Sequence, residues 1–145
     1  MSRVTTYLNF PGTTEEAFRF YASVFGTGLG DVVRMGDVPP APGAPALPDA
    51  ERNLVMHVEL PILAGHVLMA TDIIESMGQQ LKIGNNVTIN LEPDSKAETD
   101  RLYAALSEGG NDSTGMMDVP WGYWGCTLDR YGVRWMFNYS QPAGD

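Results

Sequence analysis

The order of apolar and polar residues predicts two amphipathic helices, each with a capping signature at its start. The first follows Thr13 and Glu16, which have the spacing of a capping box. Its apolar residues recur at helical intervals and form one face: Ala17, Phe18, Tyr21, Val24 and Phe25. The second helix spans 96–108 after the capping box of Ser95 and Glu98. Its inward residues are predicted to be Leu102, Ala105 and Leu106.

Strands are predicted where β-branched, aromatic and other apolar residues form short runs between Pro- and Gly-containing turns. The runs cover residues 4–10, 29–35, 53–60, 65–71 and 86–92, with a short irregular strand in 111–118. The run at 86–92 alternates strictly, with Asn86, Thr88 and Asn90 on one face and Val87, Ile89 and Leu91 on the other. The second set is expected to meet a helix.

Near the end of the chain, the pattern predicts a β-hairpin. Its strands are expected at 123–128 and 133–139, and Asp129 and Gly132 supply the turn. Trp121 and Trp124 alternate with glycines just before and within the first strand. These rings either belong to two hydrophobic core strands or line a small-molecule cavity.

The two helical segments can be superposed with an offset of 82 residues, which pairs Pro11 with Pro93, Thr13 with Ser95, Glu16 with Glu98 and Arg19 with Arg101. One strand precedes each helix and about three follow it, so the chain is predicted to contain two βαβββ modules, at 3–72 and 85–141. The predicted fold class is α+β, with both modules in a single domain over 1–145. If the sheets joined as an open mixed β-barrel, a cleft would lie between them. A generic α+β sandwich is the alternative.

Two segments interrupt this pattern. Residues 38–49 carry five prolines and are expected to form an exposed loop, which could act as a lid, as a dimer arm or simply as mobile chain. Residues 72–84 have little periodicity and are expected to be an exposed linker.

Composition and charge narrow the function classes. The net charge of −9, with only 9 Lys and Arg, argues against a nucleic-acid partner, because phosphate binding requires a basic patch. No long apolar run predicts a membrane span, and the N-terminus lacks the apolar core of a signal peptide. Cys126 is the single cysteine, which fits a cytoplasmic location, and it is expected to be a small buried hydrophobe rather than a nucleophile.

His57 and Glu59 are the candidate acid–base pair. They are two residues apart on a predicted strand and therefore share a face. His57 is either a histidine hydrogen-bonded within the sheet or an imidazole in the cleft that acts with Glu59. His66 has no assigned partner. The sequence has no Ser-His-Asp set, P-loop or CxxC motif, so nucleophilic and phosphoryl chemistry are not predicted.

Polar alternation on two strands suggests a ligand-binding face. Asn86, Thr88 and Asn90 would face the cleft if their apolar neighbours meet the helix, although an exposed edge strand shows the same alternation. Arg134, Met136 and Asn138 alternate with Trp135, Phe137 and Tyr139 in the same way. With Trp121 or Trp124, this lining suits a planar or amphipathic organic ligand whose acidic group meets Arg134 and His57.

Several motifs together resemble the vicinal oxygen chelate superfamily, which includes glyoxalase I, extradiol dioxygenases and bleomycin-resistance proteins. The motifs are YLNF at 7–10, EEAFRFY at 15–21, VFG at 24–26, MHVEL at 56–60, LSEGG at 106–110 and DRYGVRWM at 129–136. Over about residues 3–141 the chain is most similar to the PhnB-like branch, whose members are called 3-demethylubiquinone-9 3-methyltransferase-like. The resemblance implies a glyoxalase-like fold and a homodimer. No Gly-rich loop of a doubly wound sheet indicates an S-adenosylmethionine site.

The resemblance also implies where a metal would bind. Metal-dependent members place one ligand on each of the first, third, fifth and eighth strands, and the pattern puts Thr6, His57, Asn86 and Met136 there. Of these, only His57 is a strong ligand for a divalent ion, and Glu59 could add a carboxylate from the same strand. No metal or other cofactor is therefore expected, with a divalent metal as the disfavoured alternative.

The sequence thus predicts a metal-free small-molecule-binding protein of the bleomycin-resistance type. The alternative is an enzyme, either a metal-dependent lyase or dioxygenase or one that uses His57 and Glu59 as acid and base. A third hypothesis is a dimeric scaffold in which the cleft is vestigial.

Overall fold

The computed structural model describes residues 1–142, in two compact units. The first unit, Met1–Lys82, contains two helices and four strands in addition to short 3₁₀ turns. In chain order they are β1 (Thr6–Phe10), α1 (Thr14–Phe25), β2 (Val33–Arg34), α2 (Asp49–Arg52), β3 (Val55–Pro61) and β4 (Val67–Asp72).

The strands of the first unit form one mixed sheet in the order β1-β4-β3-β2. β1 runs parallel to β4, and the other neighbours are antiparallel. Helix α1 packs on β3 and β4. The buried residues between helix and sheet include Phe10, Phe18, Tyr21, Val58, Leu60 and Leu68. Burial of each such side chain stabilises the fold by about 1.5–3 kcal/mol.

The second unit begins at Ile83 and has the same arrangement. Its elements are β5 (Ile89–Leu91), α3 (Lys96–Ser107), β6 (Met117–Val119), β7 (Gly122–Leu128) and β8 (Arg134–Tyr139). The sheet order is β5-β8-β7-β6, with β5 parallel to β8. Helix α3 packs on β7 and β8 over a core that contains Leu91, Leu102, Leu106, Trp135 and Phe137.

The predicted α+β class and the internal repeat are confirmed. Helices α1 and α3 both have 12 residues, and the offset of 82 relates Thr14 to Lys96 and Phe25 to Ser107. Strand order and direction also correspond between the two sheets, and within the described residues 1–142 neither sheet closes on itself. The shared cleft and the single domain stay predictions.

The predicted hairpin is also confirmed, and Asp129 holds its turn together. This carboxylate is 3% exposed; its Oδ1 accepts hydrogen bonds from the backbone N–H groups of Tyr131 (2.8 Å) and Val133 (3.0 Å). Its Oδ2 accepts from the indole Nε1 of Trp135 at 2.8 Å. Gly132 takes the positive φ of +89° that closes the turn.

The two helix starts differ from the predicted capping boxes. Thr13 makes no side-chain cap, because the first helical residue, Thr14, is held instead by Asp72 at the end of β4. Ser95 does cap α3, accepting from the backbone N–H of Glu98 at 3.1 Å. The carboxylate of Glu98 does not complete the box; it forms an ion pair with Arg101 at 2.7 Å.

Two predicted strands are reduced to two or three residues. The strand at 29–35 reduces to Val33–Arg34, because the chain turns into a 3₁₀ helix at Met35–Asp37. The strand at 86–92 reduces to Ile89–Leu91, the three residues that pair with β8. Val87 was expected to meet the helix, but it precedes the paired residues and is 73% exposed.

The Pro-rich loop is exposed as predicted. Within 38–48 only Leu47 is partly buried, and α2 follows the loop directly. A hydrogen bond connects the segments on either side of the loop: Nη2 of Arg52 donates to the carbonyl oxygen of Gly36 at 3.4 Å. The linker is mainly exposed from Glu75 onward and contains one 3₁₀ turn, Glu75–Met77.

Among residues 1–142, no helix has the length and apolar character needed to cross a membrane.

Candidate functional site

Each sheet has a helix-covered face and a second face that carries most of the predicted site residues. We call this second surface the far face. In the first sheet, Tyr7 and Glu59 are both paired with Met69, so these three side chains lie on the same face. Because side chains alternate along each strand, the same face also carries Asn9, His57 and Thr71. The alternation places the buried Val58, Leu60, Leu68 and Ala70 on the helix-covered face. Val55, which is also buried, departs from this alternation where the register between β2 and β3 shifts.

Tyr7, His57 and Glu59 form a short polar chain on this far face. The Tyr7 hydroxyl lies 3.2 Å from Nδ1 of His57, whose Nε2 lies 3.6 Å from Oε2 of Glu59. Burial raises the pKa of Tyr7, so its hydroxyl stays protonated and is able to donate to the imidazole of His57. Since 3.6 Å exceeds a hydrogen bond, both groups can still contact a ligand.

Thr6 does not share this face with His57. It pairs with Leu68, a buried residue of the helix-covered face, and its hydroxyl lies 2.9 Å from Nε2 of His66. The structure therefore supplies the partner that His66 lacked in the sequence and adds Tyr7 to the first sheet's far face. Strand alternation could have indicated Tyr7, because Phe10 is a core residue and Tyr7 has the opposite parity.

The far face of the second sheet carries four of the other candidates in one patch: Asn90, Trp124, Arg134 and Met136. Asn90, Met136 and Cys126 form a row across β5, β8 and β7. In the next row Trp124 pairs with Asn138, whose amide donates to Oδ1 of Asn90 at 2.7 Å. Trp124 is partly buried. The patch thus combines an aromatic ring, a thioether and an amide pair that offers both donors and acceptors.

Arg134 lies at one side of this patch, diagonal to Cys126. Its Nε is buried and has no hydrogen-bond partner within residues 1–142, and its Nη2 lies 3.6 Å from Oδ2 of Asp112. That carboxylate is 64% exposed, so water screens the interaction strongly. A buried N–H without a partner costs about 1–3 kcal/mol relative to a satisfied one. The guanidinium is therefore poised to gain energy from a bidentate acceptor.

The same surroundings also change the pKa of the Cys126 thiol. Burial raises this pKa, and the nearby charge of Arg134 opposes that rise. A thiol whose pKa is raised is largely protonated at neutral pH and is a weak nucleophile. The prediction was a small buried hydrophobe rather than a nucleophile: the raised pKa agrees with a weak nucleophile, but Cys126 is only partly buried.

Three predicted ligand-binding residues lie outside the strands. Asn86 and Thr88 are exposed and precede β5, so the expectation that they share a strand face with Asn90 is wrong. Trp121 precedes β7 and is 65% exposed, so it does not belong to the hydrophobic core. Any role of these residues in binding stays a prediction.

The residues present do not fit the metal site of the family pattern. Thr6 and His57 lie on opposite faces of the first sheet, and Asn90 rather than Asn86 is paired with Met136. Residues 1–142 contain no group of three or more His, Cys, Asp and Glu side chains arranged to hold an ion. His57 and Glu59 alone would supply two good ligands, fewer than the three or four of a zinc-type centre.

Comparison with protein families assigns residues 2–137 to the model described as 3-demethylubiquinone-9 3-methyltransferase. No curated protein matches the chain.

Solved structures match over nearly the whole chain. Protein PA1353 from Pseudomonas aeruginosa is 33% identical, with a TM-score of 0.83, over 98% of this chain and 100% of that one. The PhnB protein from Bacillus cereus is 22% identical, with a TM-score of 0.73, over 96% and 100%. A glyoxylase/bleomycin resistance protein/dioxygenase domain from a Frankia species is 12% identical, with a TM-score of 0.60, over 97% of each chain. The last two similarities establish the fold.

Proposed function

This chain belongs to the PhnB-like family described as 3-demethylubiquinone-9 3-methyltransferase, within the glyoxalase and bleomycin-resistance superfamily, and from that premise we propose that it is a metal-free binding protein for small organic acids. The ligand class is a planar or amphipathic molecule with one carboxylate. A homodimer and a cytoplasmic location belong to the same proposal. We do not include methyl transfer, because each sheet is a mixed four-stranded one rather than the doubly wound parallel type.

The observation that supports the proposal is the buried Nε of Arg134, which has no hydrogen-bond partner among residues 1–142. If the side chain turns to expose this N–H, a ligand carboxylate could accept from Nε and one terminal nitrogen at once, in the fork geometry typical of Arg–carboxylate pairs. Such a ligand would satisfy the buried Nε and displace only the weak contact with the exposed Asp112.

The neighbouring side chains suit the remainder of such a ligand. Met136 offers apolar contact area in the row next to Arg134, and Trp124 offers it one row further along the same face. The Asn90–Asn138 amide pair offers a donor and an acceptor. A flat ring could stack on the indole while its carboxylate reaches the guanidinium. Charge, ring and amide contacts would then select an aromatic or amphipathic acid over a simple anion such as acetate.

The test is a ligand-detected NMR screen of aromatic carboxylates, each paired with its neutral amide. We expect the carboxylates to bind preferentially, and Arg134→Met to weaken them roughly tenfold or more, since a charged hydrogen bond contributes about 1.5–3 kcal/mol. Arg101→Met is the matched control, because it removes the same charge from an exposed position on α3. Equal binding of acids and amides, or no effect of Arg134→Met, would contradict the proposal.

A second candidate function is acid–base catalysis at the far face of the first sheet. It is favoured by the Tyr7–His57 contact at Nδ1, which orients the imidazole so that its Nε2 lies 3.6 Å from the Glu59 carboxylate. Glu59 could remove a proton from a carbon next to a carbonyl group, while Nε2–H donates a hydrogen bond to the developing oxyanion.

This candidate is tested by incubating ligands from the screen in D₂O. Catalysis requires that wild-type protein exchange a carbon-bound proton for deuterium, and that Glu59→Gln and His57→Gln lose this exchange. Glu75→Gln, an exposed carboxyl in the linker, is the control. Absence of exchange in wild type, or exchange that persists in both variants, would contradict catalysis and leave ligand binding as the one proposed function.

A further inference from the structure

A groove in the first unit is lined in part by two residues of the far face of the first sheet, Asn9 and Thr71, but by none of Tyr7, His57 and Glu59. It has a volume of about 570 Å³, within the usual range of small-molecule sites. Its apolar lining comes from Met35, Met56 and Ile74, and its polar lining includes Asn9, Thr71 and Gln80. All of these residues belong to one compact unit.

The groove offers no available charge to a ligand. Among its lining residues in the described chain, Asp72 is the one with a charged side chain. It is 3% exposed, and both of its oxygens are occupied, Oδ1 by Thr14 N (3.0 Å) and Thr14 Oγ1 (2.6 Å) and Oδ2 by Val55 N (2.8 Å). Asp72 therefore organises the fold beneath the groove, and its negative charge disfavours an anion above it.

The wall formed by the linker is held in place by its own hydrogen bonds. Ile74 N–H donates to Oε1 of Gln79 at 2.7 Å, which closes the turn around Glu75–Met77. The carboxylate of Glu51 accepts from both the backbone N–H (3.1 Å) and the hydroxyl of Ser76. On the opposite wall, Met35 N–H donates to the carbonyl of Leu54 at 2.8 Å. A groove with fixed walls loses little entropy when a ligand binds.

We propose that this groove is a second ligand site, for an uncharged amphipathic molecule with a flat ring system. Methionine side chains adapt their shape and make favourable contacts with aromatic rings, so Met35 and Met56 suit such a ligand. The Asn9 and Gln80 amides can donate to or accept from one or two neutral polar groups. The site differs in ligand charge from the Arg134 patch, which takes acids.

The test uses two fluorescent probes that share one ring system. N-phenyl-1-naphthylamine is neutral, and 1-anilinonaphthalene-8-sulfonate is the same molecule with a sulfonate. We expect the neutral probe to bind saturably with a blue-shifted emission, and the sulfonate to compete for the same site at least about tenfold more weakly. Absence of saturable binding of the neutral probe, or equal affinity of the two probes, overturns the inference.

Substitutions assign the probe to the groove. Met56→Glu places a charge in the lining at a position that is 40% exposed, and we expect it to weaken the neutral probe about tenfold or more. Met77→Glu adds the same charge at a position 66% exposed and outside the groove, so binding stays as in wild type. If Met56→Glu does not fold, Gln80→Glu introduces the charge at an exposed lining residue.

Arg134→Met separates this inference from the proposed function. It removes the acid-binding guanidinium and should leave the neutral probe unaffected. If the folded Met56→Glu variant binds the neutral probe with wild-type affinity, or if Arg134→Met no longer binds this probe, the probe binds elsewhere and the assignment is overturned.

Discussion

The guanidinium of Arg134 lies 3.6 Å from the carboxylate of Asp112, while its own Nε is buried and finds no hydrogen-bond partner in the described part of the chain. Asp112 adopts a left-handed conformation with a φ of +52°, which Asn tolerates as well as Asp. The carboxylate of Asp112 therefore lies close to the position that the carboxylate of a ligand would occupy at Arg134.

Asp112→Asn should therefore strengthen the binding of acidic ligands. The substitution removes a competing negative charge and keeps the backbone conformation. Because exposed ion pairs contribute about 0.2–1 kcal/mol, we expect an increase in affinity of roughly 1.5- to 5-fold. Titration calorimetry with a carboxylate from the screen measures it, and Asp118→Asn, on the neighbouring strand β6, is the control. Weaker binding after Asp112→Asn would mean that Asp112 itself contacts the ligand.

Alkylation of Cys126 reports on the same patch. Arg134 opposes the rise that burial causes in the thiol pKa, so Arg134→Met should raise that pKa further. The thiolate fraction at pH 8 then falls, and iodoacetamide should react more slowly. A bound carboxylate ligand should also slow the reaction in wild type, and mass spectrometry can follow both rates. Faster alkylation of Arg134→Met over the whole pH range would show that access, rather than charge, controls this thiol.

Asp129→Ala should destabilise the protein strongly. The buried carboxylate accepts hydrogen bonds from the indole N–H of Trp135 and from the backbone N–H groups of Tyr131 and Val133, and its removal takes this acceptor away from all of them. We expect a loss of roughly 2–4 kcal/mol in the free energy of unfolding, measured by urea titration. The exposed Asp118→Ala gives the baseline, and a loss as small as in that variant would contradict this function of Asp129.

Glu15 should stabilise the fold in a pH-dependent way. Hydrogen bonds from Arg34 (2.8 Å) and Arg19 (2.7 Å) lower the pKa of its carboxyl below 4.5. A pKa lowered in the folded state means that the stabilisation is present above pH 4.5 and is lost as the pH falls through the folded-state value.

Urea midpoints of wild type and Glu15→Gln should thus differ at pH 7 and converge in acid. Glu16→Gln gives the baseline for an exposed carboxyl in the same turn of α1. A difference that stays constant from pH 7 to pH 3 would indicate that the Arg34–Glu15 pair contributes packing rather than charge.

The repeat made much of the fold predictable. Residues such as Phe18, Leu102 and Leu106 recur at helical spacing and are buried as expected, and Asp129 and Gly132 form the predicted turn. Alternation also indicated the shared face of Arg134 and Met136, because the hairpin is regular there. The alternation at 86–92 was less informative, since β8 pairs with only three of these residues and Val87 remains in solvent.

Site residues that depend on distant contacts could not be predicted. The partner of His57 is Tyr7, 50 positions away, and their contact depends on the pairing of β1 and β3 with β4. Asp112 reaches Arg134 from a loop with a left-handed backbone, for which the sequence has no periodic signal. Thr6 was assigned from the family pattern, and the alternation of β1 instead places Tyr7 beside His57.

The most direct test of the central proposal is calorimetric titration of chelator-treated protein with the tightest carboxylate from the screen. Elemental analysis before and after loading with Zn, Ni, Mn and Fe(II) should accompany it. We expect full affinity without metal and a loss of about tenfold or more in Arg134→Met but not in Arg101→Met. Binding that appears only with about one metal ion per chain, or that is unchanged in Arg134→Met, would contradict a metal-free site at Arg134 and return the protein to the metal-dependent enzymes.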